Sequence, residues 1–511
     1  MKKSTAALLL LTGILLGAAI AIPAMRVTEK NRLLASKYED WLKLSVIMQK
    51  IDEMYVDSVD HAKVTDAAVS AALGALDPHS VYMPPQTLEA TQEELSGNFS
   101  GIGIQFNVPN DTAIVIEVIP GGPAERVGMQ AGDRLLMVDD TPIAGVKFPQ
   151  DSMVRRMKGP TGTQVNVTVS RDGETIPFKI IRARISTHSV DASFMVSDTI
   201  GFIRLSKFSR TTTEEFATAS RALVGEGAKH LIVDLRDNGG GYMDQALTLS
   251  NLFLPKGRLI VYMEGRKYER QDCYSDGRGM LQDVGLTILV SEGTASSSEI
   301  FAGAMQDNSR ATLVGRRTFG KGLVQEPVDF RDGSGIRITV ARFYTPSGRC
   351  IQKAYDTYEE DLYDRYEHGE MLAADSMRVE SGGIVPDIFV PIDTTKVGQF
   401  YIACNRKATA VRFSSAWFDK HKAELQAITS YDELLRYFDS CNLEKSFLAY
   451  AQSRDGLAPK GDEWDIERPY MMSQVRALVG RYSKLGDNAF YHIYLDTDTV
   501  YKAAMEALTA R

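Results

Sequence analysis

Residues 294–300 read Thr294-Ala295-Ser296-Ser297-Ser298-Glu299-Ile300 and connect a strand-like apolar run, Leu286 to Val290, to a helical pattern. Small side chains at a strand-to-helix turn present a hydroxyl with little steric cover, near the positive end of the helix dipole. A serine there suits a nucleophile, although a serine before a helix is more often an N-cap, a role open to Ser297 or Ser298. The stretch therefore predicts an α/β layer with a candidate nucleophile at the end of a strand.

Two glycine-containing loops accompany this stretch. The next strand-like run, Ala311 to Val314, leads into a loop that holds one lysine between two glycines, Gly320-Lys321-Gly322. Upstream, a predicted strand from His230 to Leu235 ends in Asp237-Asn238-Gly239-Gly240-Gly241. Backbone N–H groups of such a turn suit an oxyanion hole. A phosphate-binding loop is the alternative, but the G-x-x-x-x-G-K-[ST] spacing and a second dinucleotide-type glycine motif are absent from the sequence.

Residues 96–185 have a different texture, with short strand-like runs between Gly, Pro and Asp clusters. The predicted strands are Ile102 to Phe106, Ala113 to Val118, Arg134 to Val138 and Gln164 to Ser170. The segment resembles a PDZ domain, because Gly101-Ile102-Gly103 precedes these strands and Ala131-Gly132-Asp133 introduces the third.

A PDZ site binds a peptide's terminal carboxylate with backbone N–H groups and adds the peptide to a sheet edge. Gly101 and Gly103 would turn such N–H groups outward, and Ile102 and Ile104 would line an apolar pocket. A plain hairpin is the alternative for the two glycines.

Taken together, the motifs resemble those of the C-terminal processing, or tail-specific, peptidases. In chain order the resemblance rests on Leu76 through Ser80, the PDZ motifs, Asp234 through Gly240, the serine stretch, Thr318 through Gly322, Tyr344 through Arg349 with Ile351-Gln352, and Gly383 through Asp387. The spacing between Ser296 and Lys321 also matches. The resemblance extends over residues 40–395 and implies an α/β peptidase core of the crotonase or ClpP-like type with an inserted PDZ domain.

The resemblance also implies site residues. Ser296 would be the nucleophile, Lys321 its general base and Gln325 the residue that orients the lysine. The oxyanion would be bound by the N–H of Ser297 and by one from Gly239 or Gly240. A lysine acts as a base only when neutral, so its pKa of about 10.4 must fall through burial.

Two departures from the family pattern stand out. The family often has Ser-Ala-Ser-Ala-Ser where this chain has residues 294–298, which keeps Ser297 and Ser298 open as nucleophiles. Many relatives have arginine at the position of Lys158, so a coupling between the PDZ module and the active site that used this side chain would differ here.

His79 and Ser80 are adjacent, and a structural turn is favoured over a catalytic pair.

The resemblance implies a serine endopeptidase that recognises free, apolar C-terminal tails of exported proteins and needs no cofactor or metal. A non-catalytic PDZ scaffold or adaptor at the membrane is the alternative. An acyl-CoA enzyme on the related fold is less favoured, because it would lack the PDZ insertion.

Composition narrows the class of protein further. The 511 residues are 44% hydrophobic and 24% charged, values of a globular multidomain chain, and the net charge of -8 does not favour nucleic acid as a partner.

Four single cysteines support no zinc or redox site; Cys404 and Cys441 either pair or remain free thiols. His421 and His492 lack metal-ligand spacing. The sequence leaves open whether the chain forms homo-oligomers.

The N-terminus predicts export. Lys2 and Lys3 precede the uncharged stretch Ala6 to Met25, which is long enough for a membrane anchor, while Ala19 and Ala21 form a pattern that a signal peptidase could cut. Length favours the anchor, which would tether a periplasmic protein to the inner membrane. The predicted domains are the signal or anchor (1–27), an N-terminal helical region (28–95), the PDZ domain (96–185), the peptidase core (186–400) and a C-terminal helical accessory segment (401–511).

Overall fold

The computed structural model describes residues 39–509 except 109–110, 120, 172, 356–357, 359, 374–381 and 394–396. The predicted signal or anchor lies outside the described residues. The chain divides into two units after Ala75. The first unit contributes helices α1 (Glu39–Met54) and α2 (His61–Gly74), and the Asp60 side chain caps α2 by accepting a hydrogen bond from the N–H of Lys63.

The second unit begins with strand β1 (Val81–Met83) and helix α3 (Pro85–Ser96), which lead into a β-rich domain. Its elements are β2 (Asn98–Gly101), β3 (Ile104–Asn107), β4 (Ala113–Val118), α4 (Pro123–Arg126), β5 (Arg134–Val138), β6 (Thr141–Pro142), α5 (Gln150–Met157), β7 (Gln164–Arg171), β8 (Glu174–Ile181) and β9 (Ala183–Ser186). Strands β2 and β9 pair with each other where the chain enters and leaves the domain. The other strands form a sheet in the order β3-β4-β5-β7-β8, with β6 on β5. Alternate valines of β7 point into the core, as expected for a strand with one buried face.

The central domain is built on a six-stranded, mainly parallel sheet in the order β10-β11-β12-β15-β16-β19. The elements are β10 (Val190–Ser197), β11 (Ile200–Leu205), α6 (Thr212–Glu226), β12 (His230–Asp234), α7 (Met243–Phe253), β13 (Leu259–Gly265), β14 (Tyr268–Tyr274), β15 (Gly285–Val290), α8 (Ser297–Asp307), β16 (Thr312–Gly315), β17 (Leu323–Asp329), β18 (Gly335–Tyr344), α9 (Asp361–Glu367) and β19 (Ile388–Phe389). Strands β12 and β15 are buried almost throughout, the pattern of a parallel sheet covered on both faces. A second, antiparallel sheet has the order β1-β18-β13-β14, with β17 also on β18.

The C-terminal segment is helical, as predicted. It contains α10 (Gln399–Arg406), α11 (Thr409–Ala427), α12 (Tyr431–Ser440), α13 (Leu443–Tyr450) followed by a π-helical turn (Ala451–Asp455), α14 (Glu463–Gly480), α15 (Asp487–Leu495) and α16 (Thr499–Thr509). Leu495 in α15 and Val500 in α16 are buried against Phe202, Ile232 and other sheet residues, while α6, α7 and α8 cover the opposite face. The end of this segment therefore packs on one face of the central sheet and forms a third layer of the domain.

The predicted fold class, an α/β core with an inserted PDZ-like domain and helical regions on either side, is confirmed. The hairpin β13–β14 and the long strand β18 were not predicted. The side chain of Ile102 is only 2% exposed and belongs to the core of the β-rich domain, and its part in a peptide pocket stays a prediction.

The four cysteines are free thiols, so the pairing of Cys404 with Cys441 is not formed. Within the described ranges, the structure contains no group of side chains that could hold a metal ion. The ring of His492 stacks on Tyr431 and Phe194 in the core. Across the same ranges, no helix has the length and apolar character needed to span a bilayer.

Candidate active site

Three loops meet where β12, β15 and β16 end. These strands are parallel neighbours, so their carboxyl ends lie at one edge of the sheet. The serine loop follows β15, the glycine loop follows β12 and the lysine loop follows β16. The N–H of Ala295 donates to the carbonyl of Asn238 (3.0 Å), and the N–H of Phe319 donates to that of Thr294 (2.9 Å). The serine loop is thus hydrogen-bonded to the loop on either side of it.

Ser296 has a conformation that distinguishes it from its neighbours. It has φ 58° and ψ -118°, in the left-handed half of backbone space that residues with a side chain rarely occupy. It is partly exposed and precedes the first residue of α8. Strained residues of this kind are concentrated at functional sites, where the surrounding structure enforces them.

The two following serines are committed to structural hydrogen bonds. The hydroxyl of Ser297 donates to the carbonyl of Gly241 (2.8 Å), and that of Ser298 donates to the carbonyl of Asn238 (2.9 Å). Both residues are buried, with 1% and 0% of their surfaces exposed. Thr294 is bonded in the same way to the carbonyl of Leu235 (2.8 Å). The hydroxyls at 294, 297 and 298 therefore hold the loop in place.

Gly240 lies directly against the candidate nucleophile. A Cβ atom at this position would lie 2.8 Å from Ser296 Cβ and 2.9 Å from Ser297 N. The N–H of Gly240 donates to Oδ1 of Asn238 (2.9 Å), whereas within the described part of the chain the N–H groups of Gly239 and Ser297 have no hydrogen-bond partner. One free donor thus follows the serine directly, and the other precedes Gly240 in the glycine loop.

A buried ion network holds the strand that carries the glycine loop. Arg236 binds Asp234 through Nε and Nη2 (2.9 and 2.7 Å) and donates through Nη1 to Asp498 (2.5 Å). Arg204 also pairs with Asp234 (2.9 Å). Asp498 precedes α16, so the C-terminal segment reaches the residues next to the glycine loop.

Glu299 joins the serine loop to the lysine loop. This fully buried carboxylate accepts hydrogen bonds through Oε2 from the N–H groups of Ser296 (2.9 Å) and Lys321 (2.8 Å). Through Oε1 it accepts from Thr318 Oγ1 (2.5 Å) and the N–H of Gly320 (2.8 Å). The backbones of Ser296 and Lys321 are therefore fixed on a single oxygen atom. The sequence placed Glu299 in the motif but gave it no role.

Lys321 lies in an environment that favours the neutral amine. Burial lowers its pKa, and the nearby Arg337 guanidinium lowers it further, while the carboxylates of Glu299 and Asp77 act in the opposite direction. A lysine that acts as a general base at neutral pH requires a lowered pKa of this kind.

The turn at residues 77–80 also lies at this site. The Asp77 carboxylate accepts hydrogen bonds from the N–H groups of His79 and Ser80 (2.8 Å each) and from Ser80 Oγ (2.6 Å), which confirms the structural turn. The carbonyl of His79 accepts from Nε2 of Gln325, and the His79 ring bonds the hydroxyl of Tyr358. These contacts join residues that are far apart in the chain, so no local sequence pattern predicted that the turn lies beside the lysine loop.

The β-rich domain offers an edge for peptide addition. Strand β3 is at the end of its sheet, and Ile104 and Phe106 on it are partly exposed. Gly103 has a φ of 83°, which reorients the backbone before this strand. Lys158 follows α5 and contacts Glu93 of α3, with 3.7 Å between Nζ and the carboxylate.

Comparison with known proteins decides the family. The model of the PDZ domain matches residues 100–181, and that of Peptidase family S41 matches residues 199–361. The carboxy-terminal-processing protease of Bartonella bacilliformis is 32% identical over 375 residues, which cover 71% of this chain and 85% of the relative. The chain belongs to peptidase family S41.

Two further known proteins are similar to the chain. A probable CtpA-like serine protease of Staphylococcus aureus is 34% identical over 311 residues, which cover 60% of this chain and 62% of the relative. The solved structure of a photosystem II D1 C-terminal processing protease has 27% identity, covers 69% of this chain and 86% of its own, and gives a TM-score of 0.39. This S41 chain is thus a serine-type peptidase of the C-terminal processing group with a PDZ domain, and the scaffold alternative is not supported.

A methyl group at Gly240 is expected to disable the S41 site. In Gly240→Ala the new Cβ would meet Ala295 O at 2.7 Å as well as the serine backbone, at a φ of +94°. Displacement of the Ser297 N–H should lower kcat/KM by about 10²- to 10³-fold, as for loss of an oxyanion donor. The matched control is Gly225→Ala in α6, where an added Cβ meets nothing within 4 Å. Equal activity of the two variants in a peptide-cleavage assay would contradict the expectation.

Removal of the Lys321 amine is expected to stabilise the fold at neutral pH. A base whose folded pKa is depressed costs stability below that pKa, and the cost disappears as the pH rises to its unfolded value of about 10.4. Thermal unfolding of Lys321→Met should therefore show a higher melting temperature at neutral pH and less gain in stability at alkaline pH than the parent. A lower melting temperature at neutral pH, with the parent's alkaline gain retained, would contradict it.

Proposed function

We propose that this peptidase cleaves peptide bonds with Ser296 as nucleophile and Lys321 as general base. The observation that carries the proposal is the shared hydrogen bond of both backbones to Oε2 of Glu299. The strained conformation of Ser296 and the lowered pKa of Lys321 support the same roles.

The reaction follows the general chemistry of serine acyl transfer. The neutral Lys321 amine takes the proton of Ser296 Oγ as the oxygen attacks the carbonyl carbon, and the resulting ammonium gives that proton to the leaving amine. The acyl-enzyme is then hydrolysed by a water that the same amine deprotonates, and the ammonium returns this proton to Ser296 Oγ as the bond between Oγ and the acyl carbon breaks. Gln325 orients the lysine.

The oxyanion hole is proposed to use the N–H groups of Ser297 and Gly239. The N–H of Gly240 is occupied by Asn238, so Gly240 contributes space beside the serine rather than a donor. Backbone donors in a partly desolvated site stabilise the charge that develops on the carbonyl oxygen.

The PDZ domain is proposed to bind the free, apolar C-terminal tails of exported proteins. The exposed edge of β3 would add the tail as a strand, with the backbone at residues 101–103 near its carboxylate and Ile104 near its last side chain. Ile102 would contribute its main chain only, because its side chain is buried.

The test is cleavage of an unfolded reporter polypeptide by the full-length chain, with Ser296→Ala as the blank. The reporter carries an apolar tail that ends either in a free carboxylate or in an amide of the same sequence. We expect slower cleavage of the amide through a higher KM, because the amide has lost the charge that the backbone N–H groups bind. Equal KM values for the two reporters would refute the proposed recognition of the C-terminus. Cleavage by Ser296→Ala would refute the assignment of Ser296 as the nucleophile.

We also propose that the peptidase is exported and held at the membrane by its N-terminal stretch. The support is the sequence alone, with Lys2 and Lys3 before the uncharged residues 6–25. Cell fractionation with an intact-mass measurement of the recovered chain tests this. A cytoplasmic chain contradicts export, and an exported chain that begins after Ala21 contradicts the anchor.

A further inference from the structure

His79 and Tyr358 form a polar pair beside the catalytic loops. Nε2 of His79 is hydrogen-bonded to the hydroxyl of Tyr358, and the two rings are perpendicular at 5.0 Å between centroids. Both residues are partly buried. The two residues are far apart in the chain, so the pair exists only because the fold brings the turn at residues 77–80 against Tyr358.

The Tyr358 ring is fixed by further contacts. It lies 5.6 Å from the ring of Phe319, two residues before Lys321, and Lys353 Nζ lies 4.1 Å from its centroid. The same ammonium donates to the carbonyl of Tyr358 and to Asp361, at 3.1 Å each. The ring would therefore remain in place if only its hydroxyl were removed.

The main chain of His79 connects the pair to the lysine side of the site. Its carbonyl accepts a hydrogen bond from Nε2 of Gln325, so the amide oxygen of Gln325 is the atom left to accept from another group. The turn that presents this carbonyl is fixed by Asp77 and by Thr339, whose N–H donates to Ser80 Oγ (3.1 Å). The position of Gln325 thus depends on the position of His79.

The charges around His79 are consistent with a neutral imidazole. Burial lowers the pKa of His79 to about 4, with Lys321 and Lys353 contributing in the same direction and Asp77 opposing them. A neutral ring can exchange a hydrogen bond with the tyrosine hydroxyl without placing a second positive charge beside the lysine.

We propose that Tyr358 and His79 are positioning residues for Lys321. The tyrosine hydroxyl holds the imidazole, the turn presents its carbonyl to Gln325, and the Gln325 amide oxygen orients the lysine amine toward Ser296. This rests on the proposed roles of Ser296, Lys321 and Gln325, and it gives His79 and Tyr358 a function that the sequence motifs did not assign to them.

The test compares Tyr358→Phe with Tyr363→Phe, a control at a tyrosine of α9 that is 64% exposed. With a fluorogenic peptide that has an apolar free C-terminus, Tyr358→Phe in the full-length chain should lower kcat by roughly five- to tenfold with KM little changed, the scale of one neutral hydrogen bond. A less constrained amine is more hydrated, so its pKa rises and the rising limb of the kcat/KM profile should move to higher pH. The charged groups that act on that limb are Glu299, Asp77 and Arg337. The control should leave the parent profile unchanged.

A second variant, His79→Gln, keeps the main-chain carbonyl and completes a double-mutant cycle with Tyr358→Phe. If the two residues act as a unit, the kcat of the double variant should be no lower than that of the less active single variant. Additive losses, a change in KM alone, or a loss of melting temperature without a shift of the pH profile would each overturn the proposal.

Ser296→Ala and Lys321→Ala are assayed in parallel. Their failure to abolish cleavage would refute the proposed function, whereas their inactivity beside an unaffected Tyr358→Phe would refute the positioning roles alone.

Discussion

Replacement of Ser296 by alanine is expected to lower kcat/KM by about 10⁴- to 10⁶-fold, because no other hydroxyl in the loop is free to attack. Lys321→Ala should have an effect of similar size, since the serine hydroxyl is a weak nucleophile without its base. The effects of substituting residues that act as one unit are not additive. The double variant should therefore be about as active as the less active of the two single variants. Initial rates on the fluorogenic peptide measure all three.

The neighbouring serine provides the matched control. Ser298→Ala removes a buried hydroxyl that, among the described residues, is bonded to the carbonyl of Asn238 alone. It should cost about 1 kcal/mol of unfolding free energy and less than about tenfold in rate. An inactive Ser298→Ala beside an active Ser296→Ala would reverse the assignment of the nucleophile.

Glu299→Gln is expected to be nearly as damaging, although it changes the shape of the side chain very little. Each carboxylate oxygen accepts two hydrogen bonds, and an amide can replace only one of the two oxygens. The new NH₂ group would face two buried donors, at a cost of about 1–3 kcal/mol for each donor left unsatisfied. We expect a loss of a few kcal/mol of stability and at least about 100-fold in kcat/KM, because Ser296 and Lys321 lose their common anchor.

Glu292→Gln is the control for this substitution. Glu292 lies in the same loop but is partly exposed and pairs with Arg316 (2.8 Å), so its loss should cost less than about 1 kcal/mol. Chemical denaturation and initial rates give both quantities. Parent-like stability and activity in Glu299→Gln would show that the four hydrogen bonds do not hold the site together.

The positions of the serine and glycine loops were predictable because their sequence signals are local. Small residues after the apolar strands 230–235 and 286–290 indicate turns that expose a hydroxyl or N–H groups, and parallel neighbours place such turns at one edge. The roles of Glu299 and Tyr358 were not predictable, since each depends on which distant backbone comes within hydrogen-bond distance. Choosing among the serines likewise required knowledge of the carbonyls that Ser297 and Ser298 meet.

The course of the chain around Ile102 was also not predictable. Ile102 lies between β2 and β3, and the positive φ of Gly103 interrupts the continuous strand that the sequence predicts there. An amphipathic helix states that one face is covered but not what covers it. The pattern around residue 500 could therefore predict packing, but not that α15 and α16 lie on the catalytic sheet.

The C-terminal helices contact the PDZ domain as well as the sheet. Arg134 of β5 pairs with Asp419 of α11 (2.5 Å), and a Cβ at Gly132 would lie 3.1 Å from the ring of Phe418. This restricts how the substrate preference can be re-engineered. A foreign PDZ domain grafted at residues 98–186 would need a glycine and a basic residue at these two positions, or a redesigned α11, before its own ligand preference could be transferred.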